Sequence, residues 1–297
     1  MRARADDRPL VHELTGPDDE RRPLTAVVHP GVLPASDYQG LADELAKDST
    51  VVVLDVTGIP EYWQAAMEGR RPDITIEEIA DRFVAELGER AAAASAVVLV
   101  GWSFGGVIAY AMVQRWSNDS VDLLLLDSMA PAEKLPTNLN LATPVLLSWF
   151  AKYLGAKRGG RLRLEEDRFA LTSLDDGLAI VRDTAAGLDL LSADTAIVGL
   201  RKLYDTFVDG LVGNTVLTNP YQPEPTDREL TLVKPEGSLR PRSKDLGWSG
   251  LAAGGLLVRP CDGDHYTMLV DPGAVTTVAG AVREKTDAIL ATTVATD

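Results

Sequence analysis

The sequence predicts an α/β fold, with a mostly parallel central sheet, helices on both faces and one large helical insertion. Three observations carry this. Strand-like and helix-like segments alternate as far as Asp127, which is the rhythm of strand–helix–strand units. The strands are unbroken apolar runs, the pattern of a sheet covered on both faces. After Asp127 the rhythm breaks, and about a hundred residues pass before the next strand-like run at Glu229–Lys234, where a plain unit would need about thirty.

Residues 1–22 are polar and rich in both charges, and read as a tail or linker with a short strand at Leu10–Leu14. Thr25–His29 is the first full strand. Pro30-Gly31-Val32 then turns the chain into a helix over about 36–47. Thr50–Asp55 is a second buried strand. Val56–Asp73, with Gly58, Pro60 and Pro72, reads as an irregular connection. Thr75–Ala94 is an amphipathic helix: Ile76, Ile79, Ala80, Phe83 and Leu87 recur at helical spacing, and Asp73 or Thr75 can cap it. Ala96–Val100 and Val121–Asp127 are strands on either side of a helix that starts near Phe104. From Met129 to about residue 212 the chain is mostly helical, and we read this stretch as a lid over the strand ends. Gly254–Pro260 is the last strand, Cys261–His265 a loop, and Pro272–Leu290 a closing helix. The domain proper is thus expected over 23–292, with the lid at about 129–212.

The whole chain, 297 residues with 45% hydrophobic and 25% charged, can bury a full core. Its net charge of −15 argues against nucleic acid or an anionic membrane surface as main partner. A single cysteine, Cys261, excludes an internal disulfide. No apolar stretch behind Met1–Arg8 reads as a signal peptide, and no apolar run is long enough to span a membrane. The expected location is the cytoplasm.

One stretch carries chemistry. The apolar run Ala96–Val100 ends in Gly101-Trp102-Ser103-Phe104-Gly105-Gly106, and a helix follows. This is the G-x-S-x-G elbow of the α/β-hydrolase fold, in which a sharp strand–turn–helix corner exposes the serine and aims a helix N-terminus at any oxyanion formed there. Ser103 is therefore the candidate nucleophile. It needs a base, and the chain has three histidines, His12, His29 and His265. Only His265 follows the serine, as the order Ser, acid, His requires. Two acids stand open: Asp127, at the end of the strand after the elbow helix, and Glu236, after the strand 229–234. The oxyanion hole calls for two backbone N–H groups, expected from Phe104 and from Val32 in the turn after the first strand; Pro30 has none to give.

Other features read more plainly. Lys157, Arg158, Arg161 and Arg163 form a basic cluster within the insertion; they could meet a phosphate or an acidic carrier protein, but a solvated surface is the simpler reading. Trp102 reads as packing at the elbow and Cys261 as core. Gly101–Gly106 lacks the lysine of a P-loop, and no metal motif appears.

Four segments in order resemble the thioesterase domains that terminate nonribosomal peptide synthetases. They are the elbow Gly101–Gly106; Leu126-Asp127-Ser128 with Pro131; Asp245-Leu246-Gly247-Trp248; and Gly263-Asp264-His265-Tyr266-Thr267-Met268-Leu269. The resemblance implies Asp127 as the acid, since that family carries it after the strand following the elbow. It implies a peptidyl or depsipeptidyl chain delivered as a thioester on the phosphopantetheine of a peptidyl carrier domain, with no cofactor bound by the domain itself. It implies release by macrocyclisation or hydrolysis. The alternatives are a stand-alone editing thioesterase, a general serine esterase, and a non-catalytic binding module on the same fold.

Overall fold

The computed structural model describes residues 8–15, 21–116, 120–131 and 141–296. In chain order the elements are β1 (Val11–Glu13), β2 (Leu24–His29), α1 (Gln39–Leu45), β3 (Thr50–Asp55), α2 (Pro60–Glu68), α3 (Ile76–Ala93), β4 (Val97–Trp102), α4 (Phe104–Val113) and β5 (Val121–Leu126). The insertion contributes α5 (Thr143–Lys157), α6 (Leu174–Ala186) and α7 (Ile197–Thr218); β6 (Leu230–Gly237), β7 (Leu256–Asp264) and α8 (Pro272–Thr296) complete the chain. The strands form a seven-stranded sheet in the order β1-β3-β2-β4-β5-β6-β7. β1 pairs antiparallel with β3, and every other pair is parallel.

The unbroken apolar runs have the predicted cause. In β4, Val98, Val100 and Trp102 join one core with α1, α8 and the insertion, while Val97 and Leu99 join a second core with α2, α3 and α4. Successive side chains of a strand point to opposite faces, and here both faces are apolar and buried. All ten residues of α4 are buried as well, because this helix lies beneath the sheet's middle.

Several local details depart from the sequence reading. β1 falls within the short strand expected at Leu10–Leu14, and it pairs into the sheet, which the reading of 1–22 as a tail did not foresee. Pro60 does not break the chain but starts α2 at its first position, where the missing N–H costs nothing, and Gly69 closes the helix with a left-handed φ of 62°. Thr75 caps α3 through a reciprocal box: its Oγ1 accepts from Glu78 N at 3.1 Å, and Glu78 Oε2 accepts from Thr75 N at 2.8 Å. α7 runs on to Thr218, beyond the expected end of the lid. β7 continues through the Cys261–Asp264 loop assignment, because Pro235 and Gly237 of β6 pair with Cys261 and Asp264 across an irregularity. Among the described residues no helix is long and apolar enough to cross a membrane.

Candidate active site

The elbow is built by close backbone packing. A Cβ at position 101 would lie 2.4 Å from Gly106 Cα, and one at 105 would lie 2.1 Å from Val28 O, so neither site takes a side chain. The corner between β4 and α4 places Ser103 at φ 55°, ψ −126°, a strained conformation for a residue with a Cβ. Its N–H donates to Leu126 O at 3.0 Å, which ties the corner to the end of β5. The next residue of β5's chain, Asp127, is also left-handed at φ 39°, and its N–H donates to Val233 O at 2.9 Å.

These two corners and the end of β7 bring three side chains together. His265 Nε2 lies 3.1 Å from Ser103 Oγ, and His265 Nδ1 lies 2.7 Å from Asp127 Oδ2. Asp127 is 4% exposed and His265 3%. The carboxylate accepts the Nδ1 proton, which leaves Nε2 free to accept from the serine hydroxyl. Such a line of contacts can take a proton from a hydroxyl and stabilise the imidazolium that results. Glu236, the other candidate acid, is exposed on β6, and the Nδ1 position is already taken by Asp127.

The imidazole is held on several sides. Trp102 Nε1 donates to the His265 carbonyl at 2.9 Å, with the two ring centroids 5.2 Å apart, and Tyr266 packs edge-on to the imidazole at 4.8 Å. Trp102 thus packs at the elbow, as expected, and also fixes the histidine's backbone. The Asp264 carboxylate accepts from the N–H groups of Tyr266 and Thr267 at 3.1 and 3.0 Å, shaping the turn that presents His265. Ser238, which the sequence did not single out, donates to the second oxygen of Asp127 at 2.6 Å. No local motif marks it; its partner is 111 residues away in the chain.

The remaining candidates separate clearly. Phe104 opens α4, where the first N–H groups have no partner within the helix. Val32 lies in the turn after β2, and its N–H has no acceptor among the described residues. That turn is braced by His29, whose Nε2 lies 2.7 Å from Leu33 O and whose Nδ1 lies 3.2 Å from Tyr38 Oη. Burial pushes the His29 pKa down, only partly offset by Asp55, so the ring is neutral, donates to Leu33 and accepts from Tyr38. His12 sits on β1 beside Asp55, away from the serine. Cys261 lies in the core, where burial pushes its thiol up to about 12. Of the basic cluster, Arg161 pairs with Asp271 and Arg163 Nη2 donates to Gly263 O at 3.0 Å, so two of the four bind the protein itself.

Ser103, Asp127 and His265 lie on the wall of a cleft enclosing about 760 Å³, its open mouth included. Its lining mixes apolar side chains, among them Phe104, Met129, Trp149 and Leu246, with polar ones on α7, Asn214, Thr215 and Thr218. Tyr62 of α2 links α4 to α7: its ring stacks on Phe104 at 6.4 Å and its hydroxyl donates to Asn214 Oδ1 at 2.7 Å.

Comparison with known proteins follows the same lines. Residues 23–286 match the family model of the thioesterase domain. No curated protein matches the chain. Among solved structures, the chain superposes on holo-AB3403, a four-domain nonribosomal peptide synthetase bound to AMP and glycine, with a TM-score of 0.55 and 24% identity, covering 93% of this chain and 20% of that one. It superposes on the NocB thioesterase domain from the nocardicin cluster with a TM-score of 0.51 and 22% identity, covering 93% and 98%. For RedJ, the thioesterase of the prodiginine pathway in Streptomyces coelicolor, the values are 0.52 and 19%, with 94% and 91% covered. At these identities the superpositions establish a shared fold, and the family model establishes membership. The chain belongs to the thioesterase domain family, hydrolases built on the α/β-hydrolase fold.

Proposed function

We propose that this thioesterase takes an acyl chain from a carrier-bound thioester onto Ser103 and then releases it. The observation that carries the reading is the continuous contact from Ser103 Oγ through His265 to Asp127 on the wall of the insertion-lined cleft. Ser103 Oγ attacks the thioester carbonyl while its proton passes to His265 Nε2. The oxyanion is met by the Phe104 and Val32 N–H groups. The C–S bond then breaks, the thiol leaves with the proton from Nε2, and an ester remains on Ser103. In the second step water, or a nucleophile within the acyl chain, gives its proton to Nε2 and attacks the ester carbonyl; the acyl C–Oγ bond then breaks, and Nε2 returns the proton to Ser103 Oγ. Water yields a linear acid and an internal nucleophile yields a ring. Asp127 holds the imidazole tautomer throughout.

The substrate class is a peptidyl or depsipeptidyl chain on the phosphopantetheine arm of a peptidyl carrier domain. Two things support it: the four segments that resemble synthetase-terminating domains, and the superposition on part of a four-domain synthetase. In this reading the domain binds no cofactor of its own, and the reaction takes place in the cytoplasm. Peptidyl pantetheine thioesters of graded length test it. Intact mass is expected to show an acyl adduct on the wild type. Ser103→Ala is expected to carry none and to lose rate on the order of 10⁴- to 10⁶-fold. An adduct that survives in Ser103→Ala moves the nucleophile elsewhere, and product masses separate linear from cyclic release.

A further inference from the structure

The insertion does more than line the cleft: it is tied by charged side chains to the strand ends that carry the acid and the base. Lys152 of α5 lies between two buried residues, Ala151 and Tyr153, where a covering helix would need only apolar contact. Its Nζ donates to Gly237 O at 3.1 Å and approaches Ser238 O at 3.5 Å. Ser238 in turn donates its hydroxyl to Asp127 at 2.6 Å. Gly237 pairs with Asp264, the residue before His265. From the chain just after α5, Arg163 Nη2 donates to Gly263 O at 3.0 Å, and its Nε lies 4.0 Å from Asp264 Oδ2, a fully buried oxygen with no hydrogen-bond partner. Arg161 pairs with Asp271, which caps the start of α8.

We propose that Lys152 is a positioning residue, through which the insertion holds the ends of β6 and β7 around the Asp127–His265 pair. The inference rests on the roles proposed above for Ser103, His265 and Asp127. A partly buried ammonium costs free energy unless it is bonded. Here burial lowers the Lys152 pKa, while Asp264, Glu165 and Asp127 oppose that shift. The cation is therefore held at the strand ends by carbonyls, in the field of nearby carboxylates, and its hydrogen-bonded route to the acid runs through Ser238.

The test uses the full chain and a small fluorophosphonate, which reacts with Ser103 without filling the cleft. The readout is the second-order labelling rate by intact mass. Lys152→Met and Ser238→Ala are each expected to slow labelling about tenfold to a hundredfold, the scale of an ångström-sized misplacement. The double variant is expected to be no slower than the slower single one, because both act on one route. Lys152→Arg is expected to recover most of the loss. Lys202→Met, an exposed cation elsewhere in the insertion, is expected to label at the wild-type rate. Labelling of Lys152→Met at the wild-type rate or faster overturns the proposal, as does a double variant whose losses multiply. If Lys152→Met does not fold by thermal melting, Lys152→Gln, which also removes the charge, takes its place, and a wild-type rate there overturns the proposal. A wild type that is not labelled on Ser103 overturns the nucleophile assignment and this inference together, whereas a labelled wild type with unaffected variants overturns this inference alone.

Discussion

The central sheet and the helical insertion bury their residues differently. Every residue of β4 and α4 is buried, so the elbow stands on an element packed from all sides. α7, with 22 residues, buries Leu200, Tyr204, Phe207, Thr215 and Leu217 and lines the cleft with Leu211, Asn214, Thr215 and Thr218. A backbone corner held at a strained φ needs surroundings that over-determine it, and the sheet supplies them. The wall of the cleft instead presents side chains to open space. The groups proposed to react therefore sit on strand ends, and the insertion shapes the space beside them. The aromatic cluster of Phe150, Tyr153, Tyr204 and Phe207 joins the two regions, since Tyr153 also packs on Tyr266 at 5.8 Å, beside His265.

The largest effect that would sharpen this division lies on the sheet. Asp127→Asn is expected to reduce acylation on the order of 10⁴-fold, because the amide no longer holds the productive tautomer of His265. Glu236→Gln, on an exposed position of β6, is expected to leave the rate near that of wild type. Acylation assays on the two variants decide, and the reverse ranking would transfer the acid to Glu236.

A smaller effect separates the regions by stability. Leu99→Ala, in the wholly buried β4, is expected to lower global stability by about 2–5 kcal/mol, read from the urea midpoint. Phe150→Ala removes a buried ring of the insertion, and its cost of about 3–5 kcal/mol is expected to appear mainly as faster amide exchange in α5–α7. If both variants shift the global transition equally, sheet and insertion unfold as one unit and the contrast fails.

The smallest effect concerns the turn after β2. His29 is held neutral with its pKa below the ordinary 6.5, so the unfolded chain binds a proton more readily than the folded one. The sign follows: the contribution of His29 is complete above pH 6.5 and is lost as pH falls from there toward the folded pKa. Urea titrations at pH 7.5 and 5.5 are expected to show a steeper loss for wild type than for His29→Gln. Equal slopes would mean that the imidazole is not the group bracing Leu33.

How much of this was legible depended on the range of the interaction. Ser103 was readable because its constraint is local: two glycines where no Cβ fits, between an apolar run and a helix. His265 was readable by elimination, being the histidine that follows the serine. Asp127 was open against Glu236 until the family resemblance favoured it; residues alone could not say which of two neighbouring strand ends reaches a ring. α2 was missed because proline has two meanings, breaker and first helical residue, and only the chain on both sides distinguishes them. Ser238 and Lys152 carried no signal at all, since an ordinary serine reaches the acid, and an ordinary lysine the chain beside it, only through the packing of distant segments.

The elbow and its helix, the strand rhythm and the position of the insertion were thus determined by the sequence itself. Each rests on sterics or apolar periodicity within a few residues. The tertiary structure alone decided which carboxylate meets His265 across 138 residues, that Ser238 completes it, and how the insertion folds over the strand ends. Those are contacts between distant segments, and their geometry is set by the packing of the two cores on either face of one sheet.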